Sequence, residues 1–336
     1  MSSVHLVVPE GIDDVEQPSG GNTYDRRIRD GLSDLGWTVH EHAVVGGGRG
    51  LSAALTSVPD GAAVLVDGLV ASTAPEVIVP EGRRVRDVVL LHMPVGDARE
   101  RTVLTSAAAV VTTSGWTRRW LMDRYALPSA LVHVAEPGVD TADLAVSSEA
   151  GEELICVAAV TPGKGHDVLL ASLATLAHRS WRLTCVGSLT RDAGFVDRLR
   201  SQAREAGLED RIRFTGPLAG DELAAAYATS DLLVLASRTE TYGMVVTEAL
   251  ARGLPVLATT VGGLPEAVGR GAGGNRPGLM VPPGDPALLA LALSRWLDDA
   301  ELRGRLRETA RERRAQLRGW DVTSGRISEV LGEVVR

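Results

Sequence analysis

The stretch Ser237–Thr259, SRTETYGMVVTEALARGLPVLAT, decides how this chain folds. It continues from one apolar run, DLLVLAS (231–237), and runs into a second, PVLATT (255–260). Between them MVVTEALAR (244–252) reads as a short helix, closed by Gly253 with Pro255 just beyond, the usual punctuation of a helix C-terminus. Gly243, directly before the helix, lets the chain turn tightly and approach a ligand closely. Glu240 therefore falls in the loop and Glu248 about a turn inside the helix. Carboxylates so placed can accept hydrogen bonds from two vicinal diols, such as a sugar and a ribose, flanking a phosphate at the helix N-terminus. Taken alone, the pair is better explained as one turn-forming glutamate and one ordinary surface glutamate.

The same strand–loop–helix rhythm recurs on both sides. The first half offers HLVV (5–8), WTVHEHA (37–43), AAVLVDG (62–68), DVVLLHM (87–93), AAVVTTS (108–114) and LVHVAEP (131–137). The second half adds ELICVAAV (153–160), RLTCVG (182–187), RIRFTG (211–216) and LMV (279–281) to the two runs already quoted. Several are continuously apolar, as strands buried on both faces should be. Helical patterns separate them, among them DVLLASLATLAH (167–178), GFVDRLRSQAREAG (194–207) and DELAAAYATS (221–230). Such alternation implies parallel sheets with right-handed crossovers. The chain has 336 residues, about twice the roughly 150 of one domain. The expected class is α/β with two Rossmann-like, doubly wound domains, one over 1–148 and one over 149–318, divided at the acidic stretch VSSEAGEE (146–153).

Composition narrows the function. With 44% hydrophobic and 23% charged residues, disorder and collagen-like repeats are excluded. A net charge of −8 argues against unselective nucleic-acid binding. Cys156 and Cys185 lie in apolar runs and read as reduced core thiols. No apolar run reaches the roughly 18 residues of a membrane span, and MSSVHLVVPEGIDD has no basic leader region, so a cytoplasmic location is expected. SGWTRRWLMDRY (114–125) is basic and aromatic enough for peripheral membrane contact, although core packing with a solvated face is the plainer reading. Of the 35 basic residues, 34 are arginine and one is lysine, Lys164 in PGKGH (162–166). Against that bias, a compact ammonium between two glycines looks required, because a guanidinium fork does not fit every site that takes a lysine.

Ligands of open parallel sheets bind outside the carboxyl ends of the strands. The loops there are SGGNTYDRR (19–27), His92, TPGKGH (161–166), SRTETYG (237–243) and TTVGGLPEA (259–267). Four of the five are glycine-rich and open onto helices, whose unpaired N–H groups favour an anion. A phosphate-bearing ligand follows. Familiar nucleotide motifs fail: VGGGRGL (45–51) lacks the last glycine of G-x-G-x-x-G, and PGKGH has neither the spacing nor the Ser/Thr of a P-loop. There is no HExxH, G-x-S-x-G or Asp-x-Asp.

ETYGMVVTE with ALARGLPVLATTVGGLPEAV resembles the E-x7-E region of retaining GT-B glycosyltransferases, specifically glycosyltransferase family 4. GGNTYDRRIRDGLSDLGWTVHEH, EPGVD (136–140), RIRFTGPLAGDELAAAYATSDLLVLAS and GLMVPPGD (278–285) extend the likeness over nearly the whole chain. Trp320 and the residues after it resemble the terminal helix (319–336) that in that fold crosses back to the first domain. The resemblance implies two domains facing a central cleft and transfer of a hexose from a nucleoside-diphosphate sugar, UDP favoured and GDP next, to a hydroxyl of a small-molecule, glycan or lipid-linked acceptor. It implies neither cofactor nor metal. Residue by residue, Glu248 would bind ribose hydroxyls, and Glu240 with the backbone of Tyr242, Gly243 and Met244 would hold the sugar. Lys164 would neutralise the diphosphate. Gly20, Gly21 and Asn22 would lie against the donor, and His92 would face the sugar from the acceptor side. Arg211, Ile212 and Arg213 match the segment whose backbone reads the base. One position departs: where the family carries an arginine five residues before the lysine, this chain has Ala159, with Arg238 or Arg191 as candidate substitutes. That departure keeps a nucleotide-sugar-binding protein without turnover open beside an epimerase or phosphorylase of the same fold.

Overall fold

A parallel strand buried on both faces shows no polar alternation, and the apolar runs behave accordingly. In the computed structural model, which describes residues 2–14, 19–45 and 47–336, they form two six-stranded sheets in which every paired neighbour is parallel. The first sheet contains β1 (Ser3–Pro9), β2 (Thr38–Val44), β3 (Ala63–Asp67), β4 (Arg86–Leu91), β5 (Ala109–Thr112) and β6 (Val132–Val134), in the order β2-β1-β3-β4-β5-β6. The second contains β7 (Glu153–Val157), β8 (Arg182–Val186), β9 (Ile212–Gly216), β10 (Leu232–Leu235), β11 (Val256–Thr259) and β12 (Gly278–Val281), in the order β12-β11-β10-β7-β8-β9.

Alternate residues of β1 face different cores. Val4, Leu6 and Val8 pack with Ile28 and Leu32 of the Gly20–Asp34 helix and with Ile327, Val330 and Leu331 of the Trp320–Val334 helix. Val7 packs on the other side with Leu51, Leu55, Val103 and Leu104. Burying a side chain such as Leu331 contributes on the order of 1.5–3 kcal/mol, so three of them hold the terminal helix on this unit. Trp37 Nε1–H donates to Ser328 Oγ at 2.8 Å, and Thr323 Oγ–H donates to the Glu136 carbonyl at 2.8 Å. In the second sheet Cys156 and Cys185 are register partners, buried and unbridged, and burial pushes the Cys156 thiol up to about 12.

The division between the units differs from the expected one. One unit comprises residues up to Asp14, Ser19–Gly138 and Arg318–Arg336; the other holds Val139–Leu317. The boundary falls before the acidic stretch because that stretch is pinned to the second unit. Ala145 and Val146 N–H donate to the Arg252 and Ala228 carbonyls at 2.9 Å, and Ser148 N–H and Oγ–H donate to Asp231 at 2.6 and 2.7 Å. The 114–125 segment follows the plainer reading. Its Gly115–Tyr125 helix buries Leu121 and Tyr125, and Arg118 donates to the Val132 and Ser129 carbonyls. Among the described residues no helix is long and apolar enough to cross a membrane.

Candidate active site

In the second unit the loops after β7, β10 and β11 meet. The chain leaves β7 into a short turn, Pro162–Lys164, and reaches Gly165 at φ +70°, from which the His166–Thr175 helix starts. A Cβ on Gly165 would lie 2.0 Å from the Ala236 carbonyl oxygen, so no other residue fits. Arg238 ties this turn to the loop after β10. Its backbone N–H donates to Gly163 O at 2.8 Å, and its guanidinium clasps both Asp167 oxygens at 2.8 and 2.7 Å and the Pro162 carbonyl at 2.5 Å. Arg238 is thus a brace between the two loops, its guanidinium paired with Asp167.

The brace brings Lys164 to Glu240. Nζ lies 2.6 Å from Oε2, with 26% and 14% of the two side chains exposed. The loop after β11 closes the other side, where Gly263 N–H donates to the Glu240 carbonyl at 3.2 Å. Tyr242 is buried, and Gly243 at φ +97° leads into the Met244–Ala251 helix. Among the described residues no side chain caps that helix, which leaves its first N–H groups to water or an anion.

Glu248 sits inside the helix. Burial raises its carboxyl pKa, while the Tyr227 hydroxyl, donating to Oε2 at 2.9 Å, works against that rise. Arg252 places its guanidinium 4.6 Å from the centre of the Tyr227 ring and donates to the Glu248 carbonyl at 2.9 Å. Sequence reasoning missed Tyr227, which sits in a helix that reads as ordinary core. The available signal was its phenol, since a buried tyrosine hydroxyl needs a partner.

The first unit holds the other group. Ser19 caps the Gly20–Asp34 helix: its Oγ accepts from Asn22 N–H at 3.0 Å, and Gly20 and Gly21 form the first turn. His92 stands just beyond the carboxyl end of β4, 2.8 Å by Nε2 from Asp25 Oδ1 and 3.4 Å from Asp67 Oδ2. Burial pulls the imidazole pKa down, but the charge and hydrogen bond of Asp25, with the charge of Asp67, outweigh it and push it up to about 9. Nothing in the sequence singles out either aspartate, because one reads as a helix residue and the other as a strand end.

Ile212 and Arg213 are not brought together with these groups. They open β9 at the amino ends of the strands, and Arg211 donates to the Trp181 carbonyl at 3.0 Å while stacking 3.8 Å over the Trp181 ring. The carboxyl end of β9 is Gly216, followed by Pro217 and Leu218.

The family model of glycosyl transferases group 1 matches residues 145–313, half of the chain and all three loops of the second unit. The chain belongs to this family. Among curated relatives of this group 1 glycosyl transferase is D-inositol 3-phosphate glycosyltransferase from Salinispora arenicola, 35% identical over 70% of this chain and 57% of the relative. Its counterpart from Kineococcus radiotolerans is 35% identical over 70% and 60%. The chain thus spans a little over half the length of these relatives. Solved structures share the fold: sucrose-phosphate synthase from Thermosynechococcus elongatus has a TM-score of 0.79 at 20% identity, covering 99% of both chains. Anabaena HepE in complex with UDP-glucose has 0.78 at 18%, covering 99% of this chain and all of that one. The architecture is GT-B, with two Rossmann-like domains.

Proposed function

We propose that the chain transfers a hexose from a nucleoside-diphosphate sugar, with a UDP-sugar favoured over a GDP-sugar, to a hydroxyl acceptor with retention at the anomeric carbon. The observation that carries this reading is the Lys164–Glu240 pair in the loops that lead to the Met244–Ala251 helix, with Glu248 held by Tyr227 one turn inside that helix. The diphosphate would take the ammonium and the helix N–H groups, the ribose diol the free oxygen of Glu248, and the sugar hydroxyls Glu240. In the step itself the bond from C1 to the phosphate oxygen breaks and a bond from C1 to the acceptor oxygen forms on the same face. The acceptor proton passes to the departing phosphate. Lys164 and the helix dipole, strongest against the charge that develops there, lower the barrier without a metal.

The names of the curated relatives make D-inositol 3-phosphate the first acceptor to try. The test is nucleotide release from UDP-glucose and GDP-mannose with and without that acceptor, in the presence of a chelator, with the product anomer assigned by NMR. Acceptor-dependent release and an α product from an α donor are expected. Acceptor-independent conversion would favour an epimerase. Saturable binding without turnover would favour the binding-protein reading, which Ala159 motivates.

A further inference from the structure

Three of the chain's seven histidines meet on one face of the first sheet, along the strands rather than in the loops at their carboxyl ends. His5 of β1 and His40 of the edge strand β2 are register partners, and His42, two residues further along β2, points the same way. Glu41 between them faces the opposite side, where Arg29 takes it at 3.0 Å. The His5 ring stacks on both of the others, its centroid 4.8 Å from His40 and 5.2 Å from His42, with 22° between the planes in each case. Its Nδ1 lies 2.9 Å from His42 Nε2. His5 is buried, His42 half-buried and His40 exposed. Among the described residues the only histidine paired with a carboxylate is His92. A proton added to this cluster therefore meets further imidazoles and no counter-charge. Burial first, and then the neighbouring rings, hold the His5 and His42 imidazoles below the ordinary histidine pKa. At neutral pH these two rings are uncharged, and each offers one nitrogen lone pair.

We propose that the cluster binds one divalent transition-metal ion of the imidazole-preferring class, Zn²⁺, Ni²⁺ or Cu²⁺, through His5 Nδ1, His42 Nε2 and His40. Neutral imidazole nitrogens suit these ions, whereas Mg²⁺ and Ca²⁺ take oxygen ligands. Two nitrogens each about 2.0–2.1 Å from a tetrahedral ion stand about 3.3 Å apart. The 2.9 Å contact therefore has to open by only a few tenths of an ångström. The proton in that contact moves to the donating ring's other nitrogen, so two lone pairs face the ion and no proton leaves. His40 has to turn to join them, because among the described residues only Asp25, Asp67 and His92 already bring three ligand atoms within 4.8 Å of one another. Its exposed ring gives up little packing in doing so. Water takes the fourth position. The ion clips the edge strand β2 to β1, whose other face carries Val4, Leu6 and Val8 into the core. The site is independent of the glycosyl-transfer reading.

The test is calorimetric titration of the metal-stripped full chain with Zn²⁺ and, separately, with Mg²⁺. His40→Gln, His42→Gln and Asp67→Asn are measured beside the wild type, and the metal-free melting temperature of each variant shows whether it folds. The wild type should take up one Zn²⁺ with micromolar affinity, gain melting temperature with it, and ignore Mg²⁺. Each histidine variant should bind at least about tenfold more weakly, the loss that follows even when an outer-shell partner of a metal ligand is removed. Asp67→Asn should keep the wild-type affinity. In 15N-edited spectra the side-chain signals of His5, His40 and His42 should shift together on adding Zn²⁺, while those of His92 stay in place. Absence of Zn²⁺ uptake by the wild type, which needs no variant to fold, would overturn the proposal. So would binding only at millimolar concentrations, or binding that survives His40→Gln or His42→Gln at full strength. A loss confined to Asp67→Asn would overturn it too, by placing the ion between Asp25, Asp67 and His92 instead.

Discussion

Lys164 Nζ and Glu240 Oε2 lie 2.6 Å apart, so the chain's only lysine and the loop carboxylate of the E-x7-E pair are bonded to each other. In the proposed function the two would have separate tasks, one on the diphosphate and one on the sugar. Pairing would link those tasks, because an ammonium held by Glu240 would already be ordered when the diphosphate arrived. Removing either partner also leaves the other as a partly buried charge without its hydrogen bond, worth about 1.5–3 kcal/mol.

Lys164→Ala should therefore lower kcat/KM by at least about 100-fold, the scale seen when one preorganised electrostatic group is lost. Lys164→Ala combined with Glu240→Gln should cost less than the sum of the two single changes. A double-mutant cycle on kcat/KM measures this, and strict additivity would show that the contact has no functional weight.

Tyr227→Phe removes the phenol that holds Glu248 Oε2 and leaves the ring under Arg252 in place. Nucleotide affinity should drop by about tenfold, equivalent to about 1.4 kcal/mol. The loss should deepen toward acid pH, because the hydrogen bond that opposes the burial-raised pKa of Glu248 has gone. Calorimetric titration with UDP between pH 5.5 and 7.5 checks both points.

His166 is fully buried, its Nδ1 has no partner among the described residues, and burial lowers its pKa to about 4. The unfolded chain binds this proton below about 6.5 and the folded chain only near 4, so stability is lost as pH falls through that window and levels off below it. The loss is at most about 3.5 kcal/mol, at roughly 1.4 kcal/mol for each pH unit the window spans. Thermal unfolding at pH 7 and 4.5 should show a smaller acid-induced fall for His166→Phe than for the wild type.

Gly243 carries φ +97°, and a Cβ there would sit 2.5 Å from Leu264 Cδ2. Gly243→Ala should destabilise the chain by about 1–3 kcal/mol, the cost of a residue forced into such a conformation. It should also weaken nucleotide binding more than the stability loss explains, since the same residue sets the N-terminus of the Met244–Ala251 helix. Melting temperature and UDP affinity on one preparation separate the two effects.

The inner strands were legible because a buried parallel strand must be apolar along its length; every run named from the sequence, from HLVV to LMV, overlaps a strand, the largely exposed β2 included. The helix after Gly243 was legible for a different reason, its glycine and proline punctuation. The unit boundary was not, because residues 139–152 join the second unit through backbone bonds to Ala228 and Arg252 and side-chain bonds to Asp231 that leave no local pattern. Tyr227, Asp25 and Asp67 were hidden because each occupies a position whose pattern already makes sense as helix or strand. For Ile212 and Arg213 the topology carries the lesson: residues that open a parallel strand lie at the amino end of the sheet, away from the loops that hold Lys164 and Glu240.

The central claim is a nucleoside-diphosphate site built on Glu248. Its most direct test is thermal unfolding of the wild type and of Glu248→Ala with UDP, GDP and ADP in turn, since a ligand that binds only the folded state raises the melting temperature by mass action. The expected result is stabilisation of the wild type by UDP above the other two, and loss of that shift in Glu248→Ala. If no nucleotide stabilises the wild type, or if the variant keeps the full shift, the nucleotide site is not built on Glu248.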